Sequence, residues 1–191
     1  GLAEKDVVAD LATWTLSYSS VAPDLASAQA DSEADTAAIR AYFAKMGFAA
    51  DALVPAGVTV SSYSDQGVPR ITITQRMQFR TTDINRAQKA VTQQYDLVRA
   101  GVSLAEGSTM NYSYTKLNDI KSGMVAEATR DARKVAEQFA RDSGARVGTI
   151  KSASQGYFEI NARDGTSEGY GVSDTPNKKV RVVTTIDYYL T

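Results

Sequence analysis

An α+β fold is predicted for this chain: a mainly antiparallel sheet packed with three helices, in the order β-α-β-β-α-β-α-β-β. Three observations carry the prediction. Stretches that alternate apolar and polar residues are interleaved with stretches whose apolar residues recur at helical spacing. Two of the alternating stretches, residues 54–63 and 70–80, are joined by the turn triplet Asp65-Gln66-Gly67, the pattern of a hairpin. Hairpins mixed with helices favour an antiparallel sheet covered by helices over a doubly wound parallel one. The 191 residues show neither a linker nor an internal repeat and read as a single domain over 1–191.

The first strand is expected over residues 7–19, with Ala12, Trp14, Leu16 and Tyr18 on one face and Leu11, Thr13, Thr15 and Ser17 on the other. Asp24 can accept from the free amides of a helix start. It opens a helix to about Met46 whose stripe of Leu25, Ala28, Ile39, Tyr42, Phe43 and Met46 is interrupted by Ser32 and Asp35, with Gly47 as its stop. In the hairpin, Pro55 and Gly57 disturb the start of the first strand. The second strand sets Ile71, Ile73, Met77 and Phe79 against Thr72, Thr74, Arg76, Gln78 and Arg80, which leaves one face wet. Thr82 or Asp83 caps a helix to about Arg99 with Ile84, Ala87, Val91, Tyr95 and Val98 inward, and residues 108–116 give a short strand through Tyr112 and Tyr114. Asn118 caps a long helix to about Ser143 with Ile120, Met124, Ala128, Ala132, Val135 and Phe139 as its inner face. Arg133–Glu137 and Glu137–Arg141 on its outer face contribute about 0.3–0.5 kcal/mol each. A strand region over 147–160, a Gly, Ser and Asp-rich loop over 161–177 and a last strand over 178–190 complete the chain.

Composition removes several chemistries. With neither His nor Cys, the chain has no Ser-His-Asp triad, no thiolate nucleophile, no disulfide and no Cys-ligated zinc or iron–sulfur centre. Hydrolysis by carboxylates or a Ser-Lys pair stays open as the weakest of three readings. The balance of 21 basic against 22 acidic residues argues against a nucleic-acid partner, which calls for a basic surplus to displace counterions. No apolar run reaches the roughly 18 residues of a spanning helix. The opening Gly1-Leu2-Ala3-Glu4-Lys5-Asp6, without an initiator methionine, is expected to be a trimmed start from which a targeting or membrane-anchoring segment has been removed.

The third helix is more specific. Its run Ala126-Glu127-Ala128-Thr129-Arg130-Asp131-Ala132-Arg133-Lys134-Val135-Ala136, followed by Gly144-Ala145-Arg146-Val147-Gly148, resembles the SIMPL domain family. The early Ala9-Asp10-Leu11-Ala12-Thr13-Trp14 and the late Lys179-Val180-Arg181-Val182-Val183 are similar to it as well, and the similarity extends over nearly the whole chain. Gly-Leu-Ala-Glu-Lys-Asp at the start resembles a subgroup that carries these residues directly after an N-terminal membrane anchor. The resemblance implies an α+β fold, a bacterial periplasmic or envelope location, and assembly into oligomers, which are ring-like or channel-like in some relatives. Envelope-stress roles are suggested for relatives. It supplies no catalytic residue, metal or cofactor.

The candidate interaction residues lie near the C-terminus. The 161–177 loop holds Asp164, Glu168 and Asp174 with Gly165, Gly169 and Gly171. It reads as a hairpin connection, with cation binding or a partner contact as alternatives. Lys178, Lys179 and Arg181 form a basic cluster, in which Lys179 and Arg181 read as the solvated face and edge protection of the last strand, with anionic lipid or glycan binding as the alternative. Of the ten tyrosines, Tyr18, Tyr42, Tyr95, Tyr112 and Tyr188 fall at core-like positions, whereas Tyr63, Tyr157 and Tyr170 do not. The leading expectation is a non-enzymatic envelope protein that self-associates or binds protein partners through strand edges and this loop. The alternative is a small-ligand or glycan-binding domain.

Overall fold

The computed structural model describes residues 1–165 and 174–191. The fold is α+β, as the alternating patterns predict. Among the described residues it has eight strands in two antiparallel sheets and four α-helices, one more helix than expected. The chain divides into two compact units, one built from Gly1–Asp10 with Ser113–Thr191 and the other from Leu11–Tyr112.

The second unit has the strand order β3-β4-β2-β5, formed by β2 (Leu11–Ala22), β3 (Leu53–Asp65), β4 (Val68–Thr81) and β5 (Met110–Ser113). Helix α1 (Leu25–Lys45) starts at Asp24, whose carboxylate accepts from the Ser27 amide and hydroxyl, and packs on β2 and β4. Alternation works as the sequence implies. Ala12, Trp14, Leu16 and Tyr18 are buried beside Ile73, Met77 and Phe79. Phe43 is the hub of this core, stacked on Phe79 at 4.4 Å and edge-on to Trp14 at 5.9 Å and Tyr42 at 5.2 Å. The polar interruption in α1 is a partner of the sheet. Gln75 Nε2 donates to Ser32 Oγ at 2.6 Å, Tyr18 and Thr36 share a hydroxyl–hydroxyl hydrogen bond of 2.6 Å, and Thr36 donates to the Ser32 carbonyl. Leu25, expected inside, is exposed.

The single helix expected up to Arg99 is two, α2 (Ile84–Thr92), capped by Asp83, and α3 (Tyr95–Arg99). The Thr92 hydroxyl donates back to the Gln88 carbonyl, a bond that competes with the helix and bends it. The amide of Gln94 turns to Val91 and no longer reaches Ala90, and the Ala90 carbonyl accepts instead from the Tyr42 hydroxyl of α1. Ala87 is buried as expected, but Val91 is exposed, and the bend rotates Leu97 inward and leaves Tyr95 and Val98 exposed, the reverse of the face expected there.

In the first unit β8 (Asn177–Leu190) is the central strand. It pairs with β1 (Leu2–Val8) on one side, while β7 (Glu159–Ala162) and β6 (Val147–Gln155) pair with successive parts of it. The strand expected over 7–19 is therefore two strands. Between them Ala9 donates to Pro176 and Asp10 to Ser113, and the Asp10 carboxylate accepts from the Thr115 amide and hydroxyl. The 147–160 region is likewise broken at 156–158, where Gly156 lies so close to the chain that a Cβ would meet the Val183 oxygen at 3.0 Å.

Helix α4 (Leu117–Asp142) packs on β1, β6 and β8. Met124 and Ala128 meet Ala3, Val180 and Val182 in its core. Asn118 lies inside the helix, whose N-cap position is Lys116 without a side-chain cap. Val135 and Phe139 face out, with Phe139 71% exposed, because the inner row keeps its i+4 step through the buried Ala128, Ala132 and Ala140 and the half-buried Ala136. Alanines let the helix approach the sheet closely, and the bulkier pair is left on the adjacent row. The Arg133–Glu137 pair forms at 3.0 Å, while Arg141 donates to Gln138.

Candidate functional site

The predicted basic cluster lies on β8, yet the strand is not an edge there. Lys179 and Arg181 sit between β1 and β7, opposite Asp6 and Asn161, and Glu4 and Glu159, respectively. Glu4 pairs with Lys179 at 3.7 Å and with Arg181 at 3.6 Å, and Glu159 reaches Arg181 at 3.6 Å. This half-exposed ladder neutralises the two cations, and its pairs are surface pairs of about 0–1 kcal/mol each. Edge protection is consequently not their role. Leu2, Val8 and Val183 share this open sheet face.

Lys178 points the other way and is buried. Burial pushes its pKa below the ordinary lysine value, and the charge of Asp174 opposes the shift. Asp164 pairs with its neighbour Arg163 at 3.0 Å, whose hydrogen bond holds the carboxyl below the usual range. Tyr157 is 94% exposed at the bend between β6 and β7. Glu168 and Tyr170 lie outside the described residues. The loop is also shorter than expected, since Asn161 and Ala162 belong to β7 and Asn177 to β8. The structure thus joins Lys179 and Arg181 in one network and Lys178 with Asp174, and keeps Tyr157 apart. Among the described residues no group of three or more acidic side chains is placed to hold a metal ion, and no helix is long and apolar enough to cross a membrane.

Two features were not singled out as sites from the sequence. The first is β3. From Val54 to Asp65 every residue is exposed, and the strand is an edge of its sheet. Pro55 and a bulge between Pro55 and Gly57 blunt its beginning. The following Val58-Thr59-Val60-Ser61-Ser62-Tyr63-Ser64 carries no charge, no proline and no bulge. Edge β1, by contrast, carries Glu4, Lys5 and Asp6. The signal was present as an uncharged alternating run beside a turn, but edge position is a property of topology.

The second is a groove of about 490 Å³ in the first unit, lined by Phe139, Ala140, Val147, Ile186, Tyr188 and Leu190 among others. The Tyr188 hydroxyl is buried with no hydrogen-bond partner among the described residues. A polar hollow of about 390 Å³ lined by Lys45, Asp83, Arg86, Lys89 and neighbours lies in the second unit.

The fold and these surfaces define a class: an antiparallel α+β protein whose described residues offer strand edges and faces. The chain belongs to the SIMPL family, described as a protein of unknown function (DUF541), whose model matches residues 1–188 and so spans both units. No curated protein matches it.

Proposed function

We propose that this is a non-enzymatic protein that acts outside the cytoplasm and self-associates through β3, with a second copy of the chain adding its own β3 to the sheet. The uncharged edge from Val58 to Ser64 carries the reading. Edges that stay free are normally blunted by charge, proline or bulges, because their unpaired amides and carbonyls recruit other strands. The same chain applies those devices at β1 and at the start of β3 and omits them over these seven residues. An extracytoplasmic site rests on the family resemblance, and cell fractionation tests it.

The test of assembly is solution mass by light scattering after gel filtration. A mass that is a multiple of 20.5 kDa, reduced to the monomer by Val60→Lys, supports the proposal. Val60 is 59% exposed, so the lysine tests the edge without disturbing the core. A monomer at every concentration, or an unchanged oligomer in the variant, dismisses it. A second reading, a site for a small apolar ligand, is favoured by the groove under Phe139 and its unpartnered Tyr188 hydroxyl. Absence of fluorescence enhancement with an apolar dye would remove it.

A further inference from the structure

The face of the second unit's sheet that turns away from α1 has an uneven charge. Strands β2, β3 and β4 contain three cations, Arg70, Arg76 and Arg80, all at positions of β4 that alternate with the buried Ile73, Met77 and Phe79 and so share this face. The three strands contain one acid, Asp65, at the last position of β3 beside the turn. Glu106 follows Ala105, whose amide donates to Ser17, and is the acid at the other margin. None of the ion pairs seen among the described residues involves the three arginines. The contrast with the open face of β8 is direct, because there each cation faces an acid.

Beside the exposed Val21, Val54 and Val68, the rest of this face is mostly hydroxyl-bearing. Thr13, Thr15, Ser17 and Ser19 of β2 lie opposite Arg80, Gln78, Arg76 and Thr74, and Thr59 and Ser61 of β3 lie opposite Thr74 and Thr72. Cross-strand hydrogen bonds fix part of the surface, Thr15 to Gln78 and Ser19 with Thr74, each at 2.8 Å. Glycine at position 57 makes room for the Arg76 guanidinium, since a Cβ there would meet Nη2 at 3.2 Å. At about 3.4 Å per residue, Arg76 and Arg80 lie roughly 14 Å apart and Arg70 another ~20 Å along the strand. A row of guanidinium groups spaced along one strand suits an extended chain of anionic groups better than one small anion.

From this face we propose a binding site for an acidic polysaccharide, whose carboxylates or sulfates pair with Arg70, Arg76 and Arg80 and whose hydroxyls bond the Ser/Thr rows. Guanidinium forks match carboxylate and sulfate oxygens, and the hydroxyls both donate and accept. Tyr63, opposite Arg70, is the one aromatic that strands β2, β3 and β4 place on this face. That favours a sugar polymer over a single-stranded nucleic acid, which takes a series of aromatic stacking platforms. The site is independent of assembly through the β3 edge.

The experiment is binding of the full chain to two probes, heparin and polygalacturonate, at low and physiological salt. Uncharged dextran and vesicles containing anionic lipid run in parallel. The expected result is salt-sensitive binding to at least one acidic polysaccharide and none to dextran, weakened at least tenfold in Arg76→Gln/Arg80→Gln and unchanged in Lys179→Gln/Arg181→Gln. Both arginines of the first variant are exposed, and its fold is checked by Trp14 fluorescence. The net charge of −1 gives the whole chain no general affinity for polyanions. No binding by the native chain, equal binding by Arg76→Gln/Arg80→Gln, or binding to the vesicles alone would overturn the proposal.

Discussion

Phe43 and Phe139 occupy inner positions in the helical patterns of the sequence, and the structure separates them completely. Phe43 is 3% exposed and Phe139 71%. Phe43→Ala removes a buried ring whose transfer and cavity terms together come to about 3–5 kcal/mol. Within that loss lie contacts to Phe79, Trp14, Tyr42 and Phe48, of which aromatic pairs are worth about 0.5–1.5 kcal/mol each. Against a domain stability of roughly 5–15 kcal/mol, this is about a fifth or more of the total and lowers Tm by roughly 6–20 °C. Phe139→Ala removes a ring already in water and changes stability by no more than about 0.5 kcal/mol. Urea unfolding separates the two. Trp14, the one tryptophan, lies in the second unit beside Phe43 and reports it by fluorescence, while circular dichroism follows both units. A loss below about 1 kcal/mol for Phe43→Ala, or above about 2 kcal/mol for Phe139→Ala, would refute the packing described.

Tyr42→Phe keeps the ring but leaves the buried Ala90 carbonyl at the α2–α3 bend without its donor, and is expected to cost about 1–3 kcal/mol by the same unfolding assay. Burial pushes the Tyr42 hydroxyl up to about 12, so its absorbance titrates about two units above that of a free tyrosine. Two carboxylates give opposite pH signs. The Ser27 amide and hydroxyl hold Asp24 below 3.8. Its contribution is present above the unfolded value and is lost as pH falls through the folded one, so Asp24→Ala lowers Tm at pH 7 and the difference shrinks in acid. Burial raises Asp35 above 3.8, so its charge disfavours the fold above the raised value and not below 3.8. Asp35→Asn raises Tm at pH 7, and the gain disappears below pH 3.8.

The strands were the legible part of the sequence wherever one face is buried. The alternation around Trp14, Phe79 and Val180 sorted their side chains correctly because burial imposes a period of two. β1 was missed because only Ala3 of its seven residues is fully buried, and Glu4, Lys5 and Asp6 read as solvated chain until β8 stands beside them. Helix α4 was read half correctly. Val135 and Phe139 are the larger apolar residues and dominate the helical pattern, whereas the sheet accepts the row of alanines that allows closer approach. The bend at Thr92 depends on one side-chain bond to the backbone, and the polar middle of α1 makes sense only with Gln75 across from it. The candidate surfaces were less legible still. The cluster at 178–181 stands out as sequence because its neutralising acids come from position 4 and position 159. Arg70, Arg76 and Arg80 look like an ordinary wet face until it is known that the strands beside them bring a single acid, Asp65.

Hydrogen exchange along β3, measured at low and high protein concentration, tests assembly through this edge most directly. The outward-pointing amides between Val58 and Ser64 have no partner strand among the described residues, since β4 lies on the other side. If a second copy pairs there, their exchange slows as concentration rises, and Val60→Lys restores the fast rate. Exchange that stays fast at concentrations where light scattering shows an oligomer would contradict the account and place the interface elsewhere.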